Sequence, residues 1–112
     1  MDLKISKYTY RVTWSEEDEE FVGLCLEFPS LSWLASTPEK ALKGIGLVVK
    51  TCIENMAQNN EDIPLAISSR QYSGKFMVRV TPEVHRNLVI EAAESGVSLN
   101  RIASTKLAHS VI

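Results

Sequence analysis

The chain has 112 residues, 45% hydrophobic and 23% charged, with a net charge of −2. That length favours one domain or two very small ones, and the composition excludes wholesale disorder. No apolar run approaches the ~20 residues that a membrane span needs, and "MDLKISKYTYRV" lacks the apolar core of a secretory signal, so a cytoplasmic protein without membrane association is expected.

In chain order, "YTYRVTW" (8–14) alternates Tyr8, Tyr10, Val12 and Trp14 with Thr9, Arg11 and Thr13, the pattern of a half-buried strand. "SEEDEE" (15–20) is a polar connection, and "FVGLCLEF" (21–28) reads as a second strand completing a hairpin. "PS" breaks the chain, and "LSWLAS" (31–36) offers a short third strand. A helix then starts, with Thr37 as cap, Pro38 in its first position and Glu39 at the positive end of the dipole. Its apolar stripe takes positions 41, 42, 45, 48, 49, 52, 53 and 56, and Gly44 and Gly46 point to close packing on the strands. Asn59 and Asn60 suit its end, and "DIPLAIS" (62–68), with Pro64 near its start, reads as an edge strand. Residues 1–68 thus predict a β-β-β-α-β module with the helix laid across a small sheet.

This front module offers no recognisable chemistry. Cys25 and Cys52 sit in apolar surroundings and read as two reduced thiols. No His or Cys lies at metal-ligand spacing to either, so neither a metal nor a cofactor is expected. The acidic run 16–20 belongs to a hydrated turn, whose consecutive side chains diverge. The strands are expected to carry no inward-facing Asp or Glu of the kind a two-metal nuclease needs. No Ser/His/Asp triad and no Gly-rich phosphate loop appear, so no catalytic residue is assigned.

Beyond a polar linker, "SRQYSG" (69–74), residues 75–112 read as strand, helix, helix. The strand, 75–80, alternates Lys75, Met77 and Arg79 with Phe76, Val78 and Val80. Thr81, Pro82 and Glu83 open the first helix, Val84, Leu88 and Ala92 form its apolar row, and Gly96 stops it. Ser98 caps the second helix, whose buried stripe is Leu99, Ile102, Ala103 and Leu107. A unit of this size seldom holds a core alone, and a lone strand cannot satisfy its backbone hydrogen bonds. Two copies would solve both problems by pairing their strands antiparallel, with Phe76, Val78, Val80, Leu88, Ile102 and Leu107 as dimer core. The paired ribbon would turn Lys75, Met77 and Arg79 outward, in a shape that fits the major groove of B-DNA. The helix start at Ser98, Leu99 and Asn100 suits a DNA phosphate. His85 reads as a structural or dimer-contact residue, and His109 as solvated. Charge divides the same way: residues 1–73 carry 7 basic and 11 acidic side chains, residues 74–112 carry 5 and 3.

"GKFMVRVTPEVHRNLVIEAAESGVSLNRIASTKL" resembles the ribbon-helix-helix DNA-binding fold of the Arc and MetJ repressors, in the version found at the C-terminus of HicB-family antitoxins. "FVGLCLEFP", "STPEKAL" and "IPLAI" are similar to the HicB N-terminal domain, a reduced RNase H-like fold, although the "DLPG" common after its second strand is here "EFPS". The resemblance implies an α+β chain: an N-terminal toxin-binding domain over 1–68, a linker over 69–74, and a ribbon-helix-helix module over 75–112 completed by dimerisation. It implies a non-catalytic antitoxin that neutralises HicA, a small basic RNA-cleaving toxin, and represses its own operon. Lys75, Met77 and Arg79 would then read bases of a two-fold symmetric operator, and Ser98, Leu99 and Asn100 would hold phosphate. The toxin-contact residues and any association of dimers stay open. Two rivals remain: a stand-alone regulator whose front domain senses a ligand or another protein, and an enzyme with a degenerate RNase H-like site, which carboxylate-poor strands disfavour.

Overall fold

A computed structural model describes residues 3–111, with side chains over 4–110. The chain divides into two compact units, Met1–Ser73 and Gly74–Ile112.

The first unit holds a three-stranded antiparallel sheet in the order β1 (Tyr10–Ser15), β2 (Glu20–Cys25), β3 (Ser32–Ala35). Val12 lies opposite Gly23, and Gly23 opposite Trp33, which fixes one face of the sheet as Tyr10, Val12, Phe21, Gly23, Cys25, Trp33 and Ala35. A helix, α2 (Pro38–Gln58), covers that face. It begins as its sequence dictates: the Lys40 N–H donates to the Thr37 hydroxyl, Pro38 needs no donor, and Glu39 lies in the first turn. Two glycines let it come close. A Cβ on Gly23 would lie 2.5 Å from the Ala41 carbonyl oxygen, and one on Gly44 would enter the Trp33 ring. The core lies between helix and sheet, with Ile45, Val49 and Cys25 essentially inaccessible and Phe28 and Ile5 joining them. The expected stripe is shifted at two points: Leu42 faces solvent, while Gly46 is buried. Trp14 stays half exposed, its ring edge-on to Phe21.

Two features depart from expectation. A single helical turn, α1 (Leu3–Ser6), precedes the sheet and sets Ile5 into the core. The Tyr10 hydroxyl donates to the Ile5 carbonyl at 2.6 Å, and burial pushes its pKa up to about 12. The expected edge strand over 62–68 does not form; that stretch is irregular and ends in a 3-10 turn, Ile67–Ser69. Pro64 has no N–H for a ladder, and the neighbouring backbone is committed elsewhere. The Pro64 carbonyl accepts from the Tyr8 hydroxyl at 2.7 Å, and the Ile67 N–H donates to Glu27 at 2.9 Å. The module is therefore β-β-β-α followed by a stretch tied down through side chains.

The second unit contains two helices, α3 (Pro82–Ser95) and α4 (Leu99–Val111). The Thr81 hydroxyl accepts from the Val84 N–H, and Gly96 closes α3 in the left-handed region at φ 69°. The Val97 N–H returns to the Ala92 carbonyl and closes the turn after α3. Lys106 on α4 pairs with Glu91 on α3 at 3.1 Å. No helix among the described residues is long and apolar enough to cross a membrane.

Candidate nucleic-acid interface

Residues 75–80 form neither a helix nor a sheet pairing in the single chain, and all six are exposed. The expected strand has no ladder partner here, and the first unit's sheet contains β1, β2 and β3 alone. Met77 is 86% exposed, as a reader of bases must be, but Phe76 is 76% exposed and Val78 and Val80 about half exposed. The last three are the residues assigned to a core. They have none to enter in one copy: Ala92 is the only buried hydrophobic side chain described in this unit.

The structure nevertheless gathers most of that assigned core around one hollow. Val78, Val80, Val84, Leu88, Leu99 and Leu107 line a groove of about 630 Å³, with Arg79, His85 and Lys106 among its polar members. Leu88 is half-buried and Leu107 remains 49% exposed. Ile102 is half-buried but does not line the groove, and Phe76 lies outside it as well. A small domain cannot leave this much apolar surface in water at little cost, since each Å² is worth roughly 25 cal/mol.

At the start of α4 the Arg101 N–H donates to the Ser98 hydroxyl at 3.1 Å, so Ser98 acts as the cap. The first N–H groups of a helix have no intrahelical acceptor; at Leu99 and Asn100 they form the positive end of the α4 dipole. Both residues are exposed. Lys75 and Arg79 are likewise exposed on the segment that precedes α3.

The first unit contains a carboxylate that sequence reasoning missed. Glu27, just past β2, is 7% exposed, which corrects the expectation that no acidic side chain turns inward there. Its Oε1 and Oε2 accept from the Thr9 N–H at 2.9 and 3.2 Å, and Oε2 also accepts from the Thr9 hydroxyl at 3.1 Å and the Ile67 N–H. Burial alone would raise its pKa; the N–H groups of Ile67 and Thr9 outweigh it and hold the carboxyl below its ordinary value. The Cys25 thiol lies 3.6 Å from Oε1, and burial beside that carboxylate pushes the thiol up to about 11. Glu27 is thus fully engaged in joining backbone segments. Nothing in "GLCLEF" marks it out, because its donors come from residues 18 positions before it and 40 after it. Beside α2 and Trp33 of β3, a hollow of about 580 Å³ is lined by Leu31, Trp33, Leu47, Val48, Cys52 and Met56.

No curated protein and no solved structure matches the chain. The model of the HicB family matches residues 63–107, from the stretch that ties down Tyr8 into α4.

Proposed function

We propose that the protein is a HicB-type antitoxin that works as a dimer, reads operator DNA with its second unit and masks a HicA-like basic RNase with its first. The observation that carries this reading is the apolar surface of the second unit: Val78 and Val80 stand half exposed beside a groove formed by both helices. A second copy would fill that groove and supply the missing ladder partner for residues 75–80. The paired ribbon would then present Lys75, Met77 and Arg79 to the major groove, where Arg and Lys donate to guanine O6 and N7 and Met can cover a thymine methyl. The exposed start of α4 would hold a phosphate. The excess of acidic side chains over residues 1–73 suits a basic toxin.

Binding of the full chain to DNA upstream of its own gene tests the DNA half. Arg79→Ala should lose about 1–3 kcal/mol of discrimination between operator and unrelated DNA, and the affinity should fall with salt in proportion to the phosphates neutralised. Operator binding left intact in both Arg79→Ala and Lys75→Ala would overturn the ribbon assignment. Co-purification from the native operon tests the toxin half. The hollow beside Trp33 and Met56 favours one rival, a regulator whose first unit takes a small apolar ligand. A small basic protein that co-purifies with the chain decides for the antitoxin.

A further inference from the structure

Histidine is the side chain whose ordinary chemistry gives it a change of charge between about pH 5 and 8. The chain has two, His85 and His109. His109 is exposed in the last turn of α4. His85 stands in the first turn of α3 and lines the groove of about 630 Å³ together with Arg79 and Lys106. Everything around that groove opposes a proton there. A cation in the first turn of a helix meets the positive end of its dipole. The α3 positions three or four residues away, which share its face, are Thr81, Pro82, Leu88 and Val89, none of them acidic. Glu83 and Arg86 are closer in sequence and point elsewhere. Glu91 is engaged by Lys106 at 3.1 Å, and Glu94 lies in the last turn. α4 brings Lys106 and no carboxylate, and residues 75–80 bring Lys75 and Arg79 and no carboxylate.

We propose that His85 is a proton-operated release of the dimer: neutral, it lets the groove close over a second copy, and protonated, it holds the groove open. This rests on the dimer of the second unit proposed above and adds its regulation. In the single chain His85 is exposed, so water solvates its charge. Closing a groove walled by Val78, Val80, Leu88 and Leu107 removes that water and disfavours the charged form. A second copy supplies no relief, because it carries the same excess of basic over acidic side chains in residues 74–112. The closed dimer therefore binds fewer protons than two separate chains, and association weakens as pH falls through the imidazole range. Acid would part the two copies of residues 75–80 and break up the surface formed by Lys75, Met77 and Arg79. A cation close to DNA acts in the opposite sense, tightening the hold on phosphate, so the test omits DNA.

Pyrene excimer emission from the full chain reads this pairing. Met77→Cys in a Cys52→Ser background puts one label on the exposed segment, Cys25 being 2% exposed. Two labels form an excimer only where residues 75–80 of two copies lie side by side, so association through another surface is not counted. Between about pH 7.5 and pH 5.5 the dilution midpoint of the excimer should move to a concentration about tenfold higher or more. His85→Gln should remove that shift, and His109→Gln should keep it. His85→Arg, charged throughout, should dissociate at the higher pH as the parent does at the lower. An equal midpoint at both pH values, a dimer that tightens in acid, or a shift that survives in His85→Gln overturns the switch and leaves the dimer standing. No excimer at either pH overturns the dimer itself and the switch with it.

Discussion

The Glu27 carboxylate accepts the Ile67 N–H at 2.9 Å across 40 residues of sequence, and the same group takes both donors of Thr9. One buried side chain thereby ties the approach to β1 to the stretch that follows α2. Glu27→Ala would leave the N–H groups of Thr9 and Ile67 without their acceptor in a partly buried site. Hydrogen bonds to a charged group are worth about 1.5–3 kcal/mol each, and partial relaxation keeps the total near one such bond. A loss of about 2–3 kcal/mol is expected, read by urea unfolding. Both tryptophans, Trp14 and Trp33, lie in the first unit, so their fluorescence reports that unit alone.

Acid should find the same carboxylate. The folded pKa of Glu27 is lowered, while in the unfolded chain it returns to about 4.3. Between those values the unfolded state binds more protons, so stability rises with pH there. The contribution is complete above the unfolded value and is lost as pH falls through the folded one. Glu27→Gln should remove this part of the acid dependence, so that its stability curve runs flatter below about pH 4.3 than that of the parent chain.

The two tight glycines should differ in cost. A Cβ at Gly23 meets the Ala41 carbonyl oxygen at 2.5 Å, and a backbone atom of a packed helix cannot move aside locally. Gly23→Ala should cost about 1–3 kcal/mol by overpacking. The three nearest atoms to a Cβ at Gly44 all belong to the side chain of Trp33, a residue 47% exposed that can turn toward water. Gly44→Ala should therefore cost less in unfolding, while shifting the Trp33 emission as the ring moves into water.

The two thiols should separate in alkylation. Cys25 is 2% exposed and burial holds its pKa near 11, so it presents almost no thiolate at neutral pH. Cys52 is half-buried at the rim of the Trp33 hollow. A small alkylating reagent at pH 8 should label Cys52 in the native chain and reach Cys25 only on unfolding, as peptide mass mapping would show. Equal labelling of both would contradict the closed core between α2 and the sheet.

Local signals were legible in the sequence wherever the physics is local. The Thr37–Pro38–Glu39 start of α2, the Thr81–Pro82 start of α3, the left-handed Gly96 and the Ser98 cap each depend on a few adjacent residues, and each stands where the pattern put it. The hairpin and the third strand followed from the strand patterns, with boundaries moved by one to three residues. The stretch 62–68 misled because alternation there resembles a strand, while its backbone answers to Tyr8 and Glu27 from far along the chain. The groove of the second unit lies between these outcomes. Its residues were named from periodicity, yet only the packing of α3 on α4 gathers Val78, Leu88 and Leu107 around one hollow.

Sequence alone determined the three long helices and where they start, and which residues of 75–80 alternate between apolar and cationic, because capping, proline and side-chain parity act over a few residues. Tertiary structure alone decided that Glu27 is buried and that Gly23 lies directly against the α2 backbone at Ala41. Each of those depends on which distant backbone arrives alongside, and such encounters leave no periodic mark on the chain.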